Sequence, residues 1–356
     1  RYEFGWIAKG ICDYVLREMT DPTGMFWSAQ DAEVDAQEGL NYLWQPDEMR
    51  AAIGEGGAPA GLALQMYGLD QGPNFQDPHA PNAEPKNVLY LPRPLFVMAA
   101  IGGTTVDGLR GVRDQFNAAL LAVRDERKQP GTDDKVLTAW NGMMIAGLAA
   151  VGGTLDQPHF LEAAARAASA VAEHMTISED ENSGGGGGLY RTYRDGTAKI
   201  PGFLEDYAHY VHGLIQLHRY SANGDDYLDW AERYTAMAIE RFEHEKSGYY
   251  DTLADQSDLF VRTRGTYDGA VPSGNSQMVH NLVDLFVIVP LALPCARLLP
   301  IQVGLDERLL LLLYLAQPAL NILYPTVQGL GPQLLSLDHS HGLGQRSLGV
   351  LYVTGK

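Results

Sequence analysis

Hydrophobic positions recur with helical spacing in two long segments of the chain. In residues 140–175, WNGMMIAGLAAVGGTLDQPHFLEAAARAASAVAEHM, Met144, Leu148 and Val151 fall on one helical face. Residues 207–242, YAHYVHGLIQLHRYSANGDDYLDWAERYTAMAIERF, align with that segment without a gap, and Tyr210, Leu214 and Leu217 take the equivalent face. Each segment predicts a helix, a turn containing Gly and Asp, and a second helix rich in alanine that opens at Phe160-Leu161 or Tyr227-Leu228. Pairs of this kind are αα-hairpins.

The segments that come after each pair repeat as well. After Met175 come a polar loop, a glycine run over residues 184–188 and Leu189-Tyr190; after Phe242 comes Gly248-Tyr249-Tyr250. Near the start, a helix ending DYVLREM at Met19 leads through Asp21-Pro22-Thr23-Gly24 into Met25-Phe26-Trp27-Ser28. Three helix ends thus pass through a glycine turn into a short aromatic strand. A polar stretch then introduces the next inner helix, at residues 133–140, 200–207 and 268–276, and one repeat length separates Asn141 from Ala208 and Ala208 from Asn275. The pattern predicts an all-α fold: an (α/α) toroid of helical hairpins, an incomplete (α/α)6 barrel with short β-hairpin loops on one face. Residues 1–356 are read as one barrel-like domain that turns irregular after about 286, because the next turn, at residues 304–308, arrives out of register.

Between the first strand and the second hairpin, one helix is predicted at residues 46–53, with Pro46 in its first turn. A Gly/Pro/Asn-rich loop fills residues 71–86; loops of that length are usually functional or mobile. A helix returns over residues 106–127, with Leu109, Phe116, Leu120 and Val123 on one face. The apolar stretch 282–303 is interrupted by Asp284, Arg297, Pro290, Pro294 and Pro300, which favours buried core over a membrane helix.

Charge narrows the partners. With 26 Lys plus Arg against 44 Asp plus Glu, the net charge is −18, which disfavours nucleic acid and anionic membranes. Cys12 and Cys295 form neither a disulfide framework nor a C-x-x-C pair, so a reducing compartment is compatible and the cytoplasm is favoured. The chain opens on Arg1 inside a helical pattern with no leader, and is read as a fragment or a processed chain.

Four motifs carry a resemblance: FWSAQDAE at residues 26–33, LLAVRDERKQPGTDDKVLTAWNGMMIAGLA at 120–149, AKIPGFLEDYA at 198–208 and YDGAVPSGNS at 267–276. In order and content they resemble the C-terminal part of the spermatogenesis-associated, thioredoxin-domain-containing protein family, over roughly residues 11–285. The resemblance implies an N-terminal thioredoxin-like domain followed by an (α/α)6 toroid similar to N-acylglucosamine 2-epimerase and six-hairpin glycosidases. The thioredoxin-like domain and the opening hairpin are expected to be missing from this chain.

The stretch RTYRDGTAKIPGFLEDYAHY at residues 191–210 brings a polar, aromatic cluster to the first turns of an inner helix. Glu205, Asp206, Tyr207 and His209 sit there. Carboxylates in a first turn serve the helix dipole, while in a toroid the same turn faces the central cavity, where a carboxylate beside a histidine serves as acid, base or hydroxyl acceptor. Asp134 and Lys135 precede Trp140 and Asn141; an N-cap with a surface lysine competes with a stacking and hydrogen-bonding platform for a sugar ring. Asp268, Ser273 and Asn275 introduce the third inner helix, as a cap or as site residues. Asp134, Asp206, His209 and Asp268 are the candidate catalytic groups. Trp27, Gln30, Asp31, Lys135, Trp140, Asn141, Arg194, Glu205, Tyr207, Ser273 and Asn275 are the candidate substrate-binding groups. The glycine run lacks the Lys-Ser/Thr of a phosphate loop, no cluster has zinc spacing, and His339-Ser340-His341 is a weak metal signal; no cofactor or metal is expected.

Two functions compete. One is a carbohydrate-active enzyme acting on a small-molecule or glycan substrate, either an epimerase or isomerase using histidines such as His209 and His280, or a glycosidase using two of Asp31, Asp134, Asp206 and Asp268. The other is a non-catalytic glycan- or protein-binding module partnered with a thioredoxin-like domain. Fold alone does not choose between them.

Overall fold

The computed structural model describes residues 2–54, 58–178, 187–222, 224–256 and 260–289. The chain divides into two compact units, Arg1–Leu285 and Phe286–Lys356, and the first holds nearly all of the described residues. The out-of-register segment after 289, with Cys295 and His339-Ser340-His341, lies outside the described residues, as do Gly184, Gly185 and Gly186.

Consecutive helical hairpins form the body of the first unit. Helix α1 (Tyr2–Glu18) is followed by strand β1 (Trp27–Gln30). Short antiparallel pairs β2 (Glu33–Val34) with β3 (Gln37–Glu38) and β4 (Leu43–Trp44) with β5 (Asn87–Val88) accompany helices α2 (Pro46–Ile53), α3 (Ala58–Met66), α4 (Leu95–Ile101) and α5 (Val106–Asp125). Strand β6 (Thr132–Leu137) then returns the chain to the repeat. Helices α6 (Thr138–Thr154) and α7 (Pro158–His174) form one hairpin. Strands β7 (Thr176–Ile177), β8 (Gly188–Arg194) and β9 (Thr197–Pro201) lead to the second, α8 (Leu204–Tyr220) and α9 (Gly224–Phe242), and α10 (Gly274–Ile288) follows.

Inner and outer helices differ as their sequences require. Helices α6 and α8 are buried on most sides, with Ile145, Leu148, Ala149, Tyr210, Leu214 and Leu217 at 0% exposure, so their burial extends beyond one apolar stripe. Helices α7 and α9 are amphipathic and bury one face, Phe160, Ala164 and Val171 in the first, Ala231, Tyr234 and Phe242 in the second. Burying a large apolar side chain such as Phe160 contributes about 1.5–3 kcal/mol. The alanines on α7 and glycines on α6 and α8 let the backbones approach closely. A Cβ at Gly142 would stand 2.4 Å from the carbonyl carbon and oxygen of His209.

The β-hairpins are more connected than the sequence predicts. Hairpin β8–β9 turns through Asp195 (φ 49°) and Gly196 (φ 74°), the two-residue turn that an Asp-Gly pair favours. Strand β6 pairs with β1 on one side and with β8 on the other, so hairpins from successive repeats join into a five-stranded sheet. β1 and β6 therefore form the same kind of hairpin as β8 and β9, with residues 31–131 inserted at its tip. That insertion has its own core of Trp44, Met49, Met66, Tyr67, Leu95, Leu109, Phe116 and Leu120, against which Val123 packs. Helices α3 and α4 within it are additions to the sequence reading. Both are short, apolar on all sides and flanked by Gly or Pro, so they show no helical period. Among the described residues no single helix is long and apolar enough to cross a membrane.

Candidate functional site

The repeat fixes how each inner helix begins. Trp27, Tyr190 and Tyr250 each donate a backbone N–H to the carbonyl at the end of the preceding outer helix, Met19, Met175 and Phe242, at 2.8, 2.8 and 2.7 Å. The residue before each, Phe26, Leu189 or Tyr249, is buried, and both its backbone groups are met from the start of the next inner helix. Asn141 accepts from the N–H of Phe26 at 2.8 Å and donates to its carbonyl at 2.9 Å. Asn275 does the same for Tyr249, at 2.8 and 3.0 Å. Ala208 stands at this position in the middle copy, and two neighbours divide the task. Tyr207 Oη accepts from Leu189 N–H at 2.9 Å, and Gly202 N–H donates to the Leu189 carbonyl at 2.7 Å.

These bonds use the buried amides of Asn141 and Asn275 and the buried hydroxyl of Tyr207. In this structure the three residues predicted to bind substrate serve as clasps, because a buried backbone group left unpaired costs about 1–3 kcal/mol.

Asp206 is likewise turned inward, at 1% exposure. One oxygen accepts from the Ala139 N–H at 3.1 Å, tying the start of α8 to the start of α6; the other accepts from Phe203 N–H at 2.8 Å and from Arg191 Nη1 at 3.1 Å. Burial pushes its carboxyl up to about 6, against the opposing pull of Arg191 and the two N–H donors. Arg191 also holds Glu205 at 2.7 Å and lies over the Phe203 ring at 4.5 Å. His209 reaches the other way, its Nε2 lying 3.1 Å from the Pro272 carbonyl at the approach to α10. A carbonyl only accepts, so Nε2 carries the proton. Nδ1 is then bare and has no partner among the described residues, and burial pulls the imidazole below its ordinary value.

The remaining predicted residues scatter. Asp134 pairs with Arg194 at 2.7 Å, and Lys135 pairs with Asp133 at 3.1 Å, both near the strand ends. Gln30 accepts from the hydroxyls of Tyr14 and Tyr42 at 2.5 and 3.1 Å, and Asp31, exposed, hydrogen-bonds through its backbone to Gly131. Trp27 is half-buried in β1, whereas Trp140 is 46% exposed at the start of α6. Asp268 accepts from Ser273 N–H at 2.9 Å, a bond that holds its carboxyl below the usual range, and Ser273 caps α10 by accepting from Ser276 N–H at 3.1 Å.

One cavity of about 490 Å³ opens between the starts of α8 and α10, walled by Phe203, Glu205, Asp251, Thr252, Tyr267 and Ser273 among others. Of the predicted candidates it is lined by Glu205 and Ser273 only. The start of α6 reaches this place indirectly, through the bond from Ala139 to Asp206. Asp251, whose two oxygens accept from Gly265 N–H at 2.9 and 2.8 Å, is not a residue that the sequence singles out. The repeat carries a signal for it: Ser28, Arg191 and Asp251 each come directly after the aromatic residue that closes the outer helix, and in the second copy that position supplies the arginine of the site.

Helical hairpins set side by side, with the start of each inner helix hydrogen-bonded to the next, define an (α/α) toroid. No known family profile matches the chain. It is 33% identical to spermatogenesis-associated protein 20 of Rattus norvegicus over 79% of its own length, and 32% identical to the Homo sapiens protein of that name over 78%. It spans 38% of the length of these curated relatives. A Caenorhabditis elegans protein, B0495.5, is 23% identical over 80% of the chain and 40% of that protein. Among solved structures, a cellobiose 2-epimerase from Spirochaeta thermophila is similar over 46% of this chain and 41% of that one (16% identity, TM-score 0.35). A family 105 glycoside hydrolase from C. acetobutylicum is similar over 55% of each chain (11%, 0.36), and an inactive α-1,6-mannanase variant from Salegentibacter sp. over 82% and 67% (10%, 0.36).

Proposed function

We propose that the cavity between α8 and α10 is the site of a carbohydrate-active enzyme, with Glu205 and Asp251 as its working carboxylates. The observation that carries this reading is their joint presence in the wall of a cavity of about 490 Å³ that also offers aromatic rings and hydroxyls. A cavity of roughly 300–1,000 Å³ suits a small ligand, and two carboxylates are the minimum for acid/base work at a glycosidic bond. Arg191 orients Glu205 and, through Asp206, ties it to the start of α6. Asp206 and His209 then act as positioning residues rather than as groups that touch the substrate.

The choice between epimerase or isomerase and glycosidase chemistry is decided by assay. Free aldoses incubated in deuterated water would exchange the proton beside the carbonyl in the first case; nitrophenyl glycosides would release nitrophenol in the second. Glu205→Gln and Asp251→Asn are each expected to abolish whichever activity is found, while Asp268→Asn leaves it largely intact. The enzyme reading is dropped if a folded chain shows neither reaction.

A second reading, a glycan- or protein-binding module serving a thioredoxin-like domain, is favoured by one observation. Asp206, Asn141, Asn275 and Ser273 all commit their polar atoms to the protein itself. Sugar binding without turnover, unaltered by Glu205→Gln, would support it.

A further inference from the structure

Two carboxylates face the cavity, and only one has a counter-ion among the described residues. Glu205 is held by Arg191 at 2.7 Å, whereas the carboxylate of Asp251 accepts, among the described residues, only from the neutral N–H of Gly265. Two arginines near this rim are committed to backbone carbonyls among the described residues. Arg262 donates to the Thr252 carbonyl at 2.9 and 2.5 Å and lies over the Tyr250 ring at 3.9 Å; Arg264 donates to the Ser247 carbonyl at 2.5 Å. Asp206, behind Glu205, shares the same arginine, so two carboxylates draw on one guanidinium. Thr252, at 8% exposure in the wall, has a hydroxyl with no hydrogen-bond partner among the described residues. The cavity therefore offers unspent acceptors and negative charge, in a chain whose net charge is −18. A carboxylate or phosphate on a ligand would have to be desolvated against that field without a cation to meet it, whereas an ammonium would find Asp251 unpaired.

We propose that this cavity selects a sugar bearing an ammonium group over one bearing a carboxylate or phosphate, and that Asp251 is the residue that makes the choice. The inference rests on the sugar-site reading above and adds the substrate class to it. A partly exposed ion pair of this kind corresponds to a preference of about two- to fivefold at low salt.

The test is calorimetric titration of the full chain with glucosamine, N-acetylglucosamine, glucose and glucuronate, at low salt and at a pH where the amine of glucosamine is charged. Glucosamine is expected to bind about two- to fivefold more tightly than glucose or N-acetylglucosamine, glucuronate more weakly than either, and added salt to shrink the spread. Asp251→Asn keeps an acceptor for Gly265 N–H and should bring glucosamine level with glucose. If glucuronate binds as well as glucosamine, or the preference survives both salt and Asp251→Asn, the proposal is overturned while a sugar site stands. Should that variant fail to fold, the salt series and the comparison with N-acetylglucosamine on the unaltered chain decide the matter. Binding of none of the four overturns both readings together.

Discussion

Asn141, at the start of α6, grips both the N–H and the carbonyl of Phe26, a residue 115 positions earlier in the chain. Asn275 repeats the grip on Tyr249. The clasp closes each outer helix onto the next inner one. Asn141→Ala leaves a buried donor and a buried acceptor of Phe26 unpaired and is expected to cost about 2–4 kcal/mol. Asn275→Ala should cost a similar amount, and the two effects should add, because the clasps share no partner. Urea denaturation of both single variants and the double variant measures this; a loss below about 0.5 kcal/mol for Asn141→Ala would show that the clasp does not hold the hairpins together.

Gly142, next to that clasp, brings the backbone of α6 close against that of α8. A methyl group there would overlap the backbone of His209, with contacts of 2.4 Å that neither helix can relieve by a rotamer change. Gly142→Ala is expected to destabilise by several kcal/mol or to prevent folding, whereas Gly147→Ala on the same helix meets no atom within 4 Å and should be neutral or slightly stabilising. Soluble yield and thermal melting of the pair provide the comparison.

The hairpins were legible because their periodicity is local: α7 and α9 each bury one face, and the α6–α7 and α8–α9 segments align without a gap. The repeat also marked the three inner-helix starts. Which atoms those starts expose was not legible, since Asn141 and a sugar-binding asparagine read alike in sequence. Their difference lies in the partner, Phe26, which only the fold brings near. Asp251 escaped notice for the converse reason: GYYDT carries no motif, and its place in the cavity depends on the start of α8 arriving beside it. Adjacent carboxylates were divided in the same way. Asp206 is buried at the third position of α8 while Glu205, one residue earlier, turns to the cavity.

Ile200 occupies the left-handed region, at φ 64°, with a β-branched side chain that is 50% exposed and a proline after it. The β-branch and the following proline both disfavour the conformation, which costs about 1–3 kcal/mol at such a residue. It lies in β9, three residues before Phe203 of the cavity wall, so the strain sits in the segment that leads the chain to α8. Ile200→Gly removes the strain, gives up little burial and is expected to stabilise by about 1 kcal/mol after the greater backbone entropy of glycine is counted. A raised urea midpoint checks the sign, and destabilisation would show that the side chain makes contacts worth more than the strain.

Asp206 gives the fold a pH dependence of unusual sign for a carboxylate. Its ordinary value is 3.8 and burial raises it to about 6 in the folded chain, so folding favours the protonated form. Its contribution to stability is then fully present below about pH 4, falls as the pH rises towards 6, and is lost above that, a change of about 3 kcal/mol over the window. Other carboxylates, such as Asp268 with its lowered value, act in the opposite direction, so the quantity to measure is the stability of the native chain minus that of Asp206→Asn at each pH. The amide cannot ionise, and the difference should decline between about pH 4 and pH 6 and be flat above. The variant carries its own constant cost, because both oxygens of Asp206 accept from N–H groups and the amide nitrogen must face one of them. That cost shifts the curve without changing its slope. A difference that rises with pH through this window would mean that Arg191 and the two backbone donors outweigh burial, and that Asp206 is held as a fully ionised cap.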